Sequence, residues 1–190
     1  NPNVGKTSLF NQLTGLKQKV GNYPGITVDK KIGQATYKDH QLNIIDLPGT
    51  YSIHPASVDE QIVINILLNK QHQDYPDVVV VVADVTTLSR NLLLYTQIKD
   101  LGLPTLLVVN MADQMQKHGI EVNVANLEQQ LDTSITLVSA KNNKGVKALQ
   151  EKIIQYKELS TNQFFDLSTI DDNFYTALSQ TFPEQPTYIT

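Results

Sequence analysis

The first residues, Asn1-Pro2-Asn3-Val4-Gly5-Lys6-Thr7-Ser8, have the layout of a phosphate-binding loop, G-x-x-x-x-G-K-[ST], lacking only its first glycine. The chemistry behind that layout is the wrapping of backbone N–H groups around phosphate oxygens at a helix N-terminus, which a glycine-permissive loop allows. Lys6 would then reach the β- and γ-phosphates, and the Thr7 hydroxyl would be a Mg²⁺ ligand. Taken alone the loop names no base, and a Gly-Lys-Thr can open any helix.

Four further motifs follow in the chain order of small GTPases. Asn22-Tyr23-Pro24-Gly25-Ile26-Thr27-Val28 carries Thr27, a threonine placed to coordinate Mg²⁺ and to meet the γ-phosphate with its backbone N–H. Asp46-Leu47-Pro48-Gly49 is a D-x-x-G, which sets a carboxylate near the Mg²⁺ and the Gly49 amide near the γ-phosphate. Asn110-Met111-Ala112-Asp113 matches N-x-x-D, where the Asp113 carboxylate can accept from guanine N1–H and N2–H₂ together, a donor pair adenine does not offer. Met111 stands where a lysine is usual, which implies modest affinity for guanine. Ser139-Ala140-Lys141 resembles the fifth motif, in which a backbone N–H, here that of Ala140, meets guanine O6. Each short motif alone reads equally well as an ordinary turn. Their joint order is what points to GTP or GDP with Mg²⁺.

The elements that must position these groups alternate between apolar runs and helical patterns, the mark of an α/β fold of the P-loop GTPase type, with a mostly parallel sheet and helices on both faces. The spacing predicts a helix over 6–14, then a long loop over 16–31. Strands follow at 32–38 and 41–46, joined by the short turn Lys38-Asp39-His40 and forming the one antiparallel pair. Ser57 and Glu60 form a capping box for a helix over 58–70. Val78–Val82 and Pro104–Asn110 read as buried strands, with a helix from Leu88 to Leu101 between them ending at Gly102. A weaker helix near 124–131, a strand over 135–138 and a helix over 146–158 complete a core domain of residues 1–158. Residues 159–190 change character and read as the start of a helical subdomain, with one candidate helix over 170–182.

Composition narrows the function classes. The 190 residues, 41% hydrophobic and 18% charged, suffice for one domain with a small appendage. A net charge of −4 with scattered lysines excludes the basic face of a nucleic-acid binder. The lack of cysteine excludes disulfides, thiolate metal sites and cysteine nucleophiles, and fits a reducing compartment. The longest aliphatic run, Val78 to Ala83, is about a third of the ~20 residues a membrane-crossing helix needs. The four histidines, His40, His54, His72 and His118, stand apart and read as surface polar residues. Because the sequence begins inside the phosphate loop, it is read as a fragment whose preceding strand is not included.

Together, Asn1 through Asn11, Gly21 through Val28, Asp46-Leu47-Pro48-Gly49-Thr50-Tyr51-Ser52 and Asn110-Met111-Ala112-Asp113 resemble the G domain of FeoB-type ferrous iron transporters. The resemblance covers roughly residues 1–158. It implies phosphate contacts from the loop, Asn1, Pro2, Asn3, Val4, Gly5 and Lys6 through Ser8. It also implies Mg²⁺ held by Thr7 and Thr27 with Asp46 behind them, and base contacts from Asn110, Asp113 and the backbone of Ala140. Asn3 matches the loop asparagine that helps hold K⁺ in potassium-activated GTPases, where the ion does electrostatically what an arginine finger does elsewhere. Lys6, Asn3, Thr27 and Gly49 would then carry hydrolysis. Thr50 stands where Ras-like enzymes carry a water-orienting glutamine, so hydrolysis should be slow. The family implies a location at the cytoplasmic face of the bacterial inner membrane, with a membrane transport domain of the same polypeptide as partner. Any homo-oligomer would form through that full-length protein. Two other readings stay open at this point: a different potassium-activated GTPase of ribosome assembly or tRNA modification, and a nucleotide-gated binding module whose hydrolysis is incidental.

Overall fold

The computed structural model describes residues 1–24, 26–165, 176–177 and 180–181. The phosphate loop leads into α1 (Lys6–Thr14), as the spacing predicts, and α1 stops at Gly15. The long loop expected over 16–31 instead contains a strand, β1 (Gln18–Asn22), every residue of which is exposed. It pairs antiparallel with β2 (Asp29–Tyr37), which pairs antiparallel with β3 (His40–Asp46) across the two-residue turn Lys38-Asp39. The sequence hides β1 because a strand held only by an edge needs no apolar alternation.

α2 (Val58–Leu68) is capped by Ser57 as the pattern predicts, its Oγ accepting the Glu60 N–H at 3.3 Å, while Glu60 Oε2 reaches back one residue further, to the Ala56 N–H at 2.7 Å. The parallel half follows as β4 (Val79–Asp84), α3 (Leu88–Lys99), β5 (Thr105–Asn110), the short α4 (Met115–His118), α5 (Val124–Leu131), β6 (Ile135–Leu137) and α6 (Val146–Ile154). β5 lies between β4 and β6, and all six of its residues are buried. Such a strand needs apolar side chains on both faces, which Leu106 to Val109 supply.

The strands thus form two three-stranded sheets, β1-β2-β3 antiparallel and β4-β5-β6 parallel, and the antiparallel share exceeds expectation by the hidden strand. One apolar layer joins them. Leu9 and Leu13 of α1, with Val146, Leu149 and Ile153 of α6, form a cluster with Val82, Leu106 and Val108, and Leu42 and Ile44 of β3 pack against it. The opposite face of the parallel sheet is covered by α2, α3 and α5, through residues such as Leu67, Tyr95, Ile98 and Leu131. After α6 and a 3₁₀ turn at Tyr156–Glu158, residues 160–165 are tied to the core. Ser160 and Asn162 donate to the Asp132 carboxylate, and the Phe164 and Phe165 N–H groups donate to that of Asp100. The candidate helix over 170–182 lies almost wholly outside the described residues.

Candidate functional site

All the loops that carry the motifs emerge at one end of the sheets, at the C-terminal ends of β3, β5 and β6 and at the N-terminus of α1. In open α/β sheets this is where ligands bind. The phosphate loop reaches α1 through two left-handed residues, Asn3 at φ +59° and Gly5 at φ +82°. Gly5 is required twice over, by its φ and by space: a Cβ there would sit 2.4 Å from Asn110 Nδ2.

At the phosphate end, Thr7 Oγ1 donates to Asp46 Oδ2 at 2.9 Å, and Lys6 Nζ lies 4.0 Å from Asp46 Oδ1. The contact bridges α1 and the end of β3, so the phosphate loop and the D-x-x-G segment are one site. Thr27 is exposed and lines the same cleft, of ≈ 420 Å³, as Lys6, Thr7 and Asp46. The cleft continues past Lys6 and Thr7 into a second, of ≈ 510 Å³, lined by Pro2, Asn3, Gly5, Ser8, Gly49 and Met111. Asn3 is exposed, and its side chain has no hydrogen bond among the described residues. Gly49 lies against the loop so closely that a Cβ would be 3.0 Å from the Cα of Pro2. Thr50 is buried, and its hydroxyl donates to the Ser52 carbonyl at 2.6 Å.

At the opposite end the motif residues are wired to one another. Asn110 is 3% exposed; its Nδ2 donates to the Val4 carbonyl at 2.9 Å, and its Oδ1 accepts the Ala140 N–H at 3.0 Å. It therefore ties the phosphate loop to the Ser139-Ala140-Lys141 loop, with both polar atoms already in use. Asp113 is exposed, and its carboxylate accepts from Ser139 Oγ at 2.5 Å and from Gln114 Nε2 at 2.8 Å. Those two bonds, Ser139 first, hold its carboxyl below the usual aspartate range. Ser139 and Ala140 are buried and Lys141 is exposed. Met111 takes a left-handed φ of +60° and rests on the core beside α4. Val4 is buried in the α1 cluster, and Asn1 is buried with its Nδ2 turned to the Asn91 carbonyl at 3.5 Å, toward α3.

Three polar residues of the phosphate-end cleft were not singled out in the sequence: Asp29, Lys31 and Asp59. The first two escaped because β2 starts at Asp29, three residues before the expected strand. Period-2 alternation places Asp29 and Lys31 on one face, and Lys31 lies directly opposite Asp46 in the β2–β3 register. Asp59 lies in the first turn of α2, between the two residues of the capping box, and no motif marks it. Of the histidines, His40, His54 and His118 are exposed, while His72 is half-buried with Nδ1 accepting the Asp74 N–H at 3.0 Å. Among the described residues no three His, Asp or Glu side chains are grouped to hold a metal, and no helix is long and apolar enough to cross a membrane.

A phosphate loop at the head of α1, a carboxylate behind it at the end of β3 and a base-side pair after β5 and β6, on this α/β scaffold, define a G domain of the P-loop class. Residues 1–153 match the family model described as ferrous iron transport protein B. The chain is 39% identical over 183 residues to the Fe(2+) transporter FeoB of Leptospira biflexa, covering 95% of this chain and 26% of that protein. It is 40% identical over 161 residues to the Fe(2+) transporter FeoB of Escherichia coli K12, covering 83% of this chain and 20% of that one. Among solved structures, the cytosolic domain of Thermotoga maritima FeoB in a GDP form is 34% identical with a TM-score of 0.89, covering 98% of this chain and 75% of that one. The G domain of Methanococcus jannaschii FeoB is 36% identical with a TM-score of 0.71, covering 83% of this chain and 94% of that one. The chain belongs to the ferrous iron transport protein B family, FeoB, and spans about a quarter or less of the length of these curated relatives. Membership sets aside the reading as a ribosome-assembly or tRNA-modification GTPase.

Proposed function

We propose that this domain binds GDP and GTP, hydrolyses GTP slowly, and in the whole protein regulates Fe²⁺ passage through a membrane domain of the same polypeptide at the cytoplasmic face of the bacterial inner membrane. The observation that carries the reading is the 2.9 Å contact between Thr7 and Asp46, which joins the phosphate loop to the D-x-x-G carboxylate at one end of the cleft. At the other end Asp113 stands exposed, held ionised by Ser139, with acceptor capacity left for a donor pair on guanine. Asn110 serves this site as the tie between the loops and already takes up the Ala140 N–H that the sequence assigned to guanine O6, so base recognition falls to Asp113.

The hydroxyl of Thr7, the carboxylate of Asp46 and the exposed hydroxyl of Thr27 are hard oxygen donors around one cleft, which suits Mg²⁺. Bound there, the metal would neutralise phosphate charge as it develops. The free amide of Asn3 suits K⁺ beside the phosphates. Lys6 would hold the β- and γ-phosphates, and the Gly49 amide would face the γ-phosphate. Thr50 already spends its hydroxyl on Ser52, which leaves the position after Gly49 without a side chain to orient water and supports a slow rate. We further read residues 1–158 as one G domain and 159–190 as the start of a helical subdomain.

The test is GTP hydrolysis by the full-length protein in KCl and in NaCl at equal ionic strength, with Asn3→Ala alongside. Stimulation by K⁺ that vanishes in the variant is the expected outcome. Equal rates in both salts would refute the role of Asn3, and absence of hydrolysis in either would refute the enzyme.

A further inference from the structure

Beside the large cluster on the α2 face of the parallel sheet lies a third, small one, made by three buried residues: Tyr23 from the threonine loop, and Ile62 and Ile66 from α2. Ile26, Val28 and Leu47 close it. Its members come from the loop carrying Thr27, from the residue directly after Asp46, and from the inward face of α2. Leu47 also packs against the main cluster, so the small core is tied to the scaffold on that side.

Tyr23 is the only member from the β1 side of the loop. It sits just beyond the last β1–β2 pair, Asn22 with Asp29; its N–H donates to the Val28 carbonyl at 3.0 Å, and its carbonyl accepts the Ile26 N–H at 3.1 Å. Thr27 therefore belongs to a closed hairpin end whose backbone is fastened around Tyr23. The ring is 4% exposed, whereas β1, leading into it, is exposed along its whole length. Lys30, one residue into β2, lies 5.6 Å from the ring centroid and pairs with Asp74, beyond the far end of α2, at 2.5 Å. Burial, then the charges of Asp74 and Asp46, push the Tyr23 hydroxyl up to about 12, so it stays neutral.

We propose that Tyr23 is a positioning residue: its ring, set against Ile62 and Ile66, holds the Thr27 loop and α2 as one body. A γ-phosphate that draws Thr27 inward then acts on α2 and on the segment after Asp46 as well. The proposal rests on the reading of Thr27 and Asp46 as γ-phosphate-end groups. Its specific consequence is selectivity. GDP, bound through the phosphate loop and the base pocket, does not need the anchor, whereas a triphosphate does.

The experiment measures the affinity of the full-length protein for GDP and for a non-hydrolysable GTP analogue, in wild type and in Y23F, Y23L and Y23A. Y23F keeps the ring and loses only a hydroxyl with no partner among the described residues, so both affinities stay at wild-type values. Y23L and Y23A weaken the analogue ~10-fold and leave GDP within about twofold. Y23L keeps apolar volume at the site and carries the test if Y23A does not fold. In a double variant with T27A, Y23L adds nothing to the loss caused by T27A alone, because both act through one contact. Equal weakening of both nucleotides, no weakening of either, or full additivity with T27A would overturn the proposal. A wild-type protein that binds neither nucleotide would overturn the reading of the site itself, and Tyr23 with it.

Discussion

The two ends of the cleft are built differently. At the base end, Asn110 is buried and bonded on both sides, Ser139 and Ala140 are buried, and Asp113 is held by two donors before any ligand arrives. At the phosphate end, Thr27 and Asn3 are exposed, and the chief internal bond is the single one from Thr7 to Asp46. The base end is a preformed socket whose ordering cost is met by folding. On the proposed reading the phosphate end is left for a ligand to complete, which suits a device that distinguishes di- from triphosphate, since a conformation that is already fixed reports nothing.

The most damaging way to test the contrast is to strike where the ends meet. Gly5→Ala places a Cβ against Asn110 and forces an L-residue to φ +82°. It should cost more than about 3 kcal/mol and abolish binding of both nucleotides, seen in thermal melts and binding titrations. Survival of GDP binding in that variant would mean the socket does not depend on the tie. Asn110→Ala comes next. It strands the Val4 carbonyl and the Ala140 N–H, each worth about 1–3 kcal/mol when buried without a partner, so stability should fall by about 2–4 kcal/mol and the melting temperature by roughly 5–15 °C. Both nucleotides should weaken together, because the variant disorders the socket and not the γ-phosphate end.

How far this contrast was legible in the sequence varied by residue. Helices at 6–14 and 124–131 were readable because their periodicity and end signals are local. The strand Gln18–Asn22 was not, since its residues carry no pattern and it exists only because β2 offers partners seven to fifteen residues away. The N-x-x-D motif marks Asn110 and Asp113 alike but does not separate their surroundings, the one buried and bonded on both sides and the other exposed. That separation comes from the missing Cβ at Gly5, which lets Asn110 reach the phosphate loop, a contact across 106 residues. Lys31 was hidden for the same reason as the strand: only the register reveals that it faces Asp46.

Asp113→Asn sharpens the comparison from the base side. Asp113 is exposed, so the melting temperature should stay close to that of the wild type, while guanine affinity should fall roughly 10²-fold as a charged acceptor pair is lost. Inosine nucleotides, which lack the 2-amino group, should lose less. The pH dependence has a definite sign. The Asp113 carboxyl is depressed in the folded protein, so its contribution is present above the ordinary aspartate value of about 3.9 and is lost only as pH falls through the lower folded value. Ser139→Ala removes the first cause of the depression and should move that titration upward, measurable from the side-chain carboxyl carbon by NMR.

Thr27→Ala should produce the smallest structural effect and the most selective functional one. Thr27 is exposed, and its hydroxyl has no hydrogen bond among the described residues, so stability should stay within the change expected of a surface substitution, about 0.5 kcal/mol. GDP affinity should be unchanged, since the loop, Lys6 and the base socket remain. Affinity for a GTP analogue with Mg²⁺ should fall by about tenfold, the loss of one good contact. The logic is differential: a residue can shift an equilibrium between nucleotide states only by the amount its contacts differ between them. If Thr27→Ala weakened GDP and the analogue equally, Thr27 would be part of a preformed socket like Asn110, and the division of the cleft into a fixed end and a responsive end would fail.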